Sequence, residues 1–168
     1  MKKIILLFTL IITNSCVTSN DQKIGYEIEE SKKVAISAGK ISSTEVMEEF
    51  FSAYNNRDLE SVYELEHDDI ILYAPNGMMI EGRDKHRELS QQFLEANSKV
   101  RWDILWSVSQ EIQFESKPSE NWVTTTLDVT TGEGESTIKV QRVVDAQIVE
   151  SKIKKVFVYE RKPHESEY

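Results

Sequence analysis

The sequence contains few of the residues that build metal or redox centres. It has one cysteine and three histidines in 168 residues, which excludes an internal disulfide and any multi-cysteine zinc or iron–sulfur site. Basic residues are outnumbered, with 20 Lys and Arg against 29 Asp and Glu. Because binding to a phosphate backbone depends on clustered positive charge, we expect no nucleic-acid partner. We also expect no metal and no cofactor.

Long hydrophobic runs are absent except at the start of the chain. Ile4 to Ile12 is apolar apart from Thr9, and it follows Lys2 and Lys3. Nine helical residues span about 13 Å, far less than the roughly 30 Å of a bilayer core. The pattern therefore predicts a signal peptide over residues 1–15 rather than a membrane span.

The apolar run leads into Ser15 and Cys16, the only cysteine. This arrangement resembles the lipobox of bacterial lipoproteins, which implies that Cys16 is lipidated and becomes the first mature residue. The expected location is then the bacterial cell envelope, with the protein anchored to a membrane by lipid and facing the periplasm or the cell surface. The alternative is a secreted protein cleaved nearby, with Cys16 incidental.

Residues 17–40 are polar and show no clear period. We predict that residues 16–40 form the lipidated cysteine and a tether, with an added edge strand or helix as the alternative. Residues 41–162 contain every other predicted element and should form one domain. Residues 163–168 are a short polar tail.

Three helices are predicted at the start of this domain. Ser42 and Glu45 have the spacing of a capping box, and Ile41 with Val46 that of a hydrophobic staple. Asp58 is placed to cap a second helix, and a third runs from Asp84 to about Asn97. The first helix has one apolar face, formed by Met47, Phe50, Phe51 and Tyr54.

The remaining sequence predicts strands. Residues 70–74 and 78–80 flank a Pro-Asn-Gly turn, and four longer strands follow from Val100 onward. Alternating apolar residues along residues 100–108 are typical of a half-buried strand. Sequential hairpins would make the four strands an antiparallel meander. The predicted class is therefore α+β.

Three segments together resemble the nuclear transport factor 2-like (SnoaL-like) superfamily: YNNRDLESVYEL, HDDIILYAPNGMMIEGRDKHREL and VVDAQIVESK. The resemblance implies a cone in which three N-terminal helices pack on a curved antiparallel sheet around an apolar pocket. The superfamily contains enzymes and many non-enzymes, so the fold does not settle the function.

Isomerases of this superfamily use a tyrosine on the first helix and a carboxylate just before the proline of the first strand. Alignment on the Asp58-Leu59 turn puts Phe50 and Ala74 at these positions, and neither can move a proton. The resemblance thus argues against enolisation by that mechanism. Of the groups that a scytalone dehydratase-like site needs, only Tyr54 and His86 are available.

The leading interpretation is a non-catalytic domain that binds a small apolar ligand or a protein partner. The alternative is a SnoaL-like isomerase, cyclase or hydrolase that uses an unrecognised carboxylate such as Asp69 or Asp128. The apolar side chains predicted to line the pocket, which plain core packing would equally explain, are Met47, Phe50, Tyr54, Leu72, Ala74, Trp102 and Trp106.

Two further patterns carry weaker predictions. His67, Asp68 and Asp69 could be a metal or acid–base cluster, or a solvated loop before a strand. The last strand has apolar residues on both faces, for example Val156 and Phe157. One face can pack on the helices while the other needs a cover, so we expect a homodimer formed through the outer face of the sheet.

Overall fold

The computed structural model describes residues 22–132 and 134–167. Within these ranges the chain forms eight strands and three helices, with a short 3₁₀ turn before β7 and another after β8. The helices are α1 (Ile41–Asn55), α2 (Leu59–Leu65) and α3 (Arg83–Ala96). The strands are β1 (Lys23–Glu29), β2 (Lys32–Ala38), β3 (Glu66–Tyr73), β4 (Met79–Glu81), β5 (Arg101–Gln113), β6 (Glu120–Thr131), β7 (Ile138–Val149) and β8 (Lys152–Arg161).

All eight strands form one sheet in the order β1-β2-β5-β6-β7-β8-β3-β4. The predicted meander is present as β5 to β8, which pair antiparallel. The sheet as a whole is mixed, however, because β3 runs parallel to β8, with Leu72 opposite Val156. The prediction of a purely antiparallel sheet was therefore wrong, although three helices do pack on a sheet in a cone-like α+β fold.

The first elements of the described chain are strands, so the helices are not N-terminal. Lys23 to Ala38 form the antiparallel hairpin of β1 and β2, and β2 pairs with β5. The predicted tether is thus wrong for this stretch, and the alternative of added edge strands is the correct one. The hairpin turns at Glu30 and Ser31, both of which have positive φ. The predicted signal peptide and Cys16 lie outside the described residues.

The helix boundaries agree with the predictions, but one predicted cap is wrong. α1 begins at Ile41 with Lys40 as its N-cap and has no side-chain cap, so Ser42 and Glu45 form no capping box. Ile41 is 76% exposed and cannot be part of a hydrophobic staple. Asp58 does cap α2, since its Oδ1 accepts a hydrogen bond from the Ser61 amide at 3.1 Å. None of the described helices is long and apolar enough to cross a membrane.

A bulge in β5 changes which side chains reach the concave face. Ile104 lies opposite Leu127, but Trp106 lies opposite Thr126, so Leu105 is an extra residue in the ladder. One inserted residue moves every following side chain to the other face of the sheet. Trp102 is consequently buried among the helices, whereas Trp106 is 51% exposed on the outer face.

The link between β2 and α1 depends on a glycine. The Gly39 amide donates to the Ser109 carbonyl at 2.9 Å, and a Cβ at Gly39 would overlap Ser109 Oγ and lie 2.8 Å from the Gln110 amide nitrogen. We expect Gly39→Ala to lower the free energy of unfolding by about 1–3 kcal/mol, as overpacking does. Gly25→Ala is the control, since its Cβ would meet only Ile36 Cδ1 at 4.0 Å. Equal urea midpoints for the two variants would contradict this account.

Candidate functional site

A cavity of about 400 Å³ opens between α1, α3 and the concave face of the sheet. Its walls are mostly apolar, with Phe50 and Phe51 from α1, Leu89 and Phe93 from α3, and Val144 among those from the sheet. Such a volume and lining are typical of sites for small organic molecules. A second depression, of about 430 Å³ near the start of α1, is lined mainly by serine, glutamate and amide side chains.

The cavity has one buried polar end, formed by Tyr54, His86 and Ser90. The Tyr54 hydroxyl shares a hydrogen bond of 2.6 Å with Ser90 Oγ and one of 3.3 Å with His86 Nε2. All three residues line the cavity, and each is at most 7% exposed. Apart from the indole N–H of Trp102, these are the only groups in the otherwise apolar inner part of the cavity wall, as far as the described residues go, that can hydrogen-bond a ligand through a side chain.

A fourth polar group, Glu66, lies behind the histidine. His86 Nδ1 is 2.5 Å from Glu66 Oε1, within hydrogen-bonding distance. Glu66 is 1% exposed, and its Oε2 has no hydrogen-bond partner among the described residues. Burying an unpaired charge is costly, so the carboxylate and the imidazole must be treated as one unit. Glu66 fixes the ring of His86, and Nε2 is left facing Tyr54.

Local sequence explains how the four groups meet. His86 and Ser90 are one helical turn apart on α3 and share its inner face. Glu66 is both the C-cap of α2 and the first residue of β3, because no loop separates these elements. Tyr54 is held by its ring, which packs against Phe50 at 5.0 Å and Trp102 at 5.2 Å between centroids. Three separate segments thus meet at one point of the core.

Burial raises the pKa of the Tyr54 hydroxyl well above its usual value; the Ser90 hydrogen bond lowers it, and the nearby Glu66 charge raises it further. Above a pH of about 10, tyrosine ionises in the unfolded chain while Tyr54 in the folded chain keeps its proton. The folded state then binds more protons, so its stability falls as pH rises beyond that value.

We therefore expect the urea midpoint to fall more steeply with pH above about 10 in the wild type than in Tyr54→Phe. Tyr159→Phe is the control, because this ring is 56% exposed on β8. The Tyr159→Phe variant should keep the steep wild-type slope. Parallel slopes for the wild type and Tyr54→Phe would show that Tyr54 is not protected from ionisation.

The side chains predicted to line the pocket divide into two groups. Phe50, Tyr54, Leu72, Ala74 and Trp102 do lie on the cavity wall. Met47 and Trp106 do not. Met47 is fully buried in the core beneath α1, and Trp106 is turned outward by the bulge at Leu105.

The acidic residues considered at the sequence level lie elsewhere. Asp69 is largely exposed and is paired with His67 and with Lys154, and the pKa of its carboxyl is lowered chiefly by the Lys154 hydrogen bond. Asp128 forms an ion pair with Lys139 at 2.7 Å and lies, like Trp122, on the outer face of β6. Neither faces the cavity. No group of three or more metal-ligating side chains occurs in residues 22–132 and 134–167.

Sequence reasoning missed Glu66 and Ser90 as members of the site. Glu66 stands in an acidic stretch and resembles a solvated residue. It is nevertheless four residues from the buried Ile70, a spacing that in a regular strand puts both side chains on the same face. Ser90 follows His86 by four residues, a spacing that would have placed both on one face. His86 was considered together with Tyr54 as a group available to a scytalone dehydratase-like site.

The mouth of the cavity is charged. Arg142 from β7 and Glu160 from β8 are cross-strand neighbours on the concave face, and Arg142 Nε donates to Glu160 Oε2 at 2.8 Å. Exposed residues of the β3–β4 turn, Asn76 and Met78, complete this rim. A ligand would therefore pass a polar rim before it reaches the apolar walls.

Comparison with protein families agrees with this architecture. The SnoaL-like domain family matches residues 47–151, which include α2, α3, β3 to β7 and most of α1. The chain therefore belongs to the SnoaL-like domain family. Among curated proteins, none matches the chain significantly.

Solved structures share the fold at low identity. A candidate ketosteroid isomerase from Kribbella flavida is 14% identical, with a TM-score of 0.60 over 76% of this chain and 84% of that chain. AclR, a candidate hydroxylase from Streptomyces galilaeus, is 15% identical, with a TM-score of 0.55 over 73% and 91%. An NTF-2 like protein of unknown function from Burkholderia xenovorans is 15% identical, with a TM-score of 0.53 over 74% and 86%. These likenesses define the fold and leave both enzymatic and ligand-binding roles open.

Proposed function

We propose that the domain binds a small, largely apolar molecule that carries one oxygen function. The observation that supports this is the single buried polar end in an otherwise apolar cavity of about 400 Å³. The apolar part of the ligand would contact Phe50, Leu72 and Trp102. Its oxygen would meet the hydroxyls of Tyr54 and Ser90, which can each donate and accept a hydrogen bond.

Native mass spectrometry of the purified domain tests for a co-purified ligand, and titration with an apolar fluorescent dye that carries a carbonyl tests the cavity directly. We expect 1:1 binding. Tyr54→Phe should weaken it about 2- to 10-fold, because the ligand oxygen would lose one of its two hydroxyl partners. Ser61→Ala is the control, since Ser61 lies on α2 and is bonded to Asp58. Unchanged affinity in Tyr54→Phe would contradict the proposed orientation, and no binding at all would indicate a filled core.

A second candidate function, acid–base catalysis, is favoured by the Glu66–His86 pair. A histidine oriented by a buried carboxylate is a common way to position a proton donor or acceptor. The binding role remains the leading proposal, because Phe50 and Ala74 occupy the wall where a donor and a base would be expected. The same protein should be assayed for isomerisation of a β,γ-unsaturated ketone. Turnover faster than in buffer alone that is lost in His86→Gln, while this variant still binds the dye, would favour the enzymatic role.

We also propose that the protein is a lipoprotein of the bacterial cell envelope, anchored through Cys16. The support is the short apolar run, Ile4 to Ile12, which is separated from the only cysteine by three polar residues. Loss of residues 1–15 would remove two lysines and no acidic residue, so the mature chain would be more acidic, and its attachment would depend on the acyl chains. Labelling with a palmitate analogue should be lost in Cys16→Ala.

The outer face of the sheet supports a homodimer as a further part of the proposal. The rings of Tyr73 and Phe157 stack at 4.8 Å, those of Phe157 and Trp122 at 6.0 Å, and Trp106 is half-exposed on the same face. Aromatic side chains grouped on one face of a sheet are typical of an interface. Light scattering at micromolar concentration should give twice the mass of the monomer, and a clean monomer would refute it.

A further inference from the structure

One apolar surface is explained neither by the cavity nor by the outer face. Ile24, Tyr26 and Ile28 on β1 are 52%, 55% and 55% exposed. Tyr26 and Ile28 share one face, and Ile24 is the extra residue of a bulge between Lys23 and Gly25; we call these three residues the β1 strip. β1 is an edge strand, with β2 as its only neighbour among the described strands. Edge strands are usually protected by charges or cover, so three exposed apolar residues on one edge strand indicate a contact surface.

The position of the strip in the chain restricts what can cover it. Lys23, the first residue of β1, is seven residues from Cys16. A fully extended segment of that length spans at most about 24 Å. If Cys16 carries the anchor proposed above, on which this inference rests, β1 is held within that distance of the bilayer surface. No other described strand or helix lies so close to the anchor along the chain.

The chemistry of the hairpin suits the boundary between lipid and water. The Lys33 ammonium lies 4.0 Å from the centre of the Tyr26 ring, and both side chains combine an apolar body with a polar tip, as interfacial residues do. Residues 23–38 contain three lysines and three glutamates, so the hairpin has no net charge. Apolar contact rather than attraction to anionic lipid would therefore hold it.

We propose that the β1 strip inserts into the interfacial region of the bilayer that holds the Cys16 anchor. The domain is then held at two points, by the acyl chains and by the edge of its sheet. The cavity rim at the β3–β4 turn is near the opposite edge, formed by β4. This orientation turns the cavity toward the aqueous compartment, so the ligand class it admits is one that arrives from water rather than by lateral diffusion from lipid.

The test uses the lipidated protein in phosphatidylcholine vesicles. Lipidation consumes the thiol of Cys16, so Ile24→Cys carries the only reactive thiol and can be labelled with an environment-sensitive fluorophore. Ala96→Cys is the matched control, because Ala96 is exposed at the end of α3, which contacts β3 and β4 at the other side of the sheet. Thermal melts establish that both labelled proteins fold as the wild type does.

We expect the label at residue 24 to shift to the blue and to lose about half of its emission to a bilayer-borne quencher, since a strip buried about 5–10 Å lies within reach of it. The label at residue 96 should do neither. The blue shift and the quenching at residue 24 should be the same when the vesicles contain anionic lipid and when the salt concentration is high.

Other outcomes overturn the inference in distinguishable ways. If the protein floats with the vesicles but the two labels behave identically, the anchor stands and the docking of the strip is refuted. Failure to float would refute the anchor and, with it, the strip. A blue shift that persists in detergent and depends on protein density would show that a second copy of the chain covers the strip.

Discussion

Glu66→Ala is expected to lower the free energy of unfolding by about 2–4 kcal/mol, because it removes one partner of a buried hydrogen bond and leaves the other unsatisfied. The variant leaves His86 Nδ1 without its acceptor at a position that is 7% exposed. Urea unfolding followed by tryptophan fluorescence measures the loss, provided that the transition is two-state.

Two control variants separate the network from a general packing defect. Glu66→Gln keeps the shape and an acceptor oxygen for Nδ1, so it should lose less than Glu66→Ala. The double variant Glu66→Met, His86→Leu replaces the pair by apolar groups of similar size and should recover much of the stability. A loss below about 1 kcal/mol in Glu66→Ala would show that water already reaches the pair.

Trp102→Ala and Trp106→Ala should differ sharply, although both residues lie on β5. Trp102 is 6% exposed and packs on Tyr54 and Phe93. Its backbone amide and carbonyl are both hydrogen-bonded to the Asn55 side chain. Its truncation should cost about 3–5 kcal/mol and impair ligand binding. Trp106→Ala should leave the stability of the dilute protein within about 0.5 kcal/mol.

The Trp106 variant carries a second readout. Because this ring is on the outer face, Trp106→Ala should weaken the proposed dimer while it leaves the cavity unaffected. Sedimentation over a range of concentrations measures the dimer, and dye titration measures the cavity. A large loss of stability in the monomeric Trp106→Ala protein would mean that the bulge at Leu105 does not direct this side chain to solvent.

Local signals predicted those elements that are decided by neighbouring residues. The helix limits follow from apolar spacing and from the Asp58 cap, and the meander follows from alternation and turn residues. β1 and β2 also alternate, but the hairpin turns at Glu30 and Ser31 rather than at glycine or asparagine, and the charged residues between the apolar ones resemble a tether. Here the alternation is too short to stand out from the polar composition of residues 17–40.

The site depended on contacts between distant segments, which local patterns do not encode. A one-residue bulge at Leu105 has no distinctive sequence, yet it decides that Trp102 faces the cavity and Trp106 does not. Glu66 is buried only because β3 starts without a loop after α2, and because α3 returns His86 to it. The parallel pairing of β3 with β8 joins residues from the middle and the end of the chain, and it is likewise invisible in any short window.

That parallel pairing has a consequence for the order of folding. Leu72 and Val156 face each other across it, and together with Val158 they form one wall of the cavity. Since contacts between distant residues form slowly, the helices and the β5–β7 ladder can assemble before β8 is in place, but the cavity cannot. During synthesis, a chain that ended near residue 150 would hold the pair of His86 and Glu66 beside an open core. The ability to bind a ligand should therefore appear in the final step of folding.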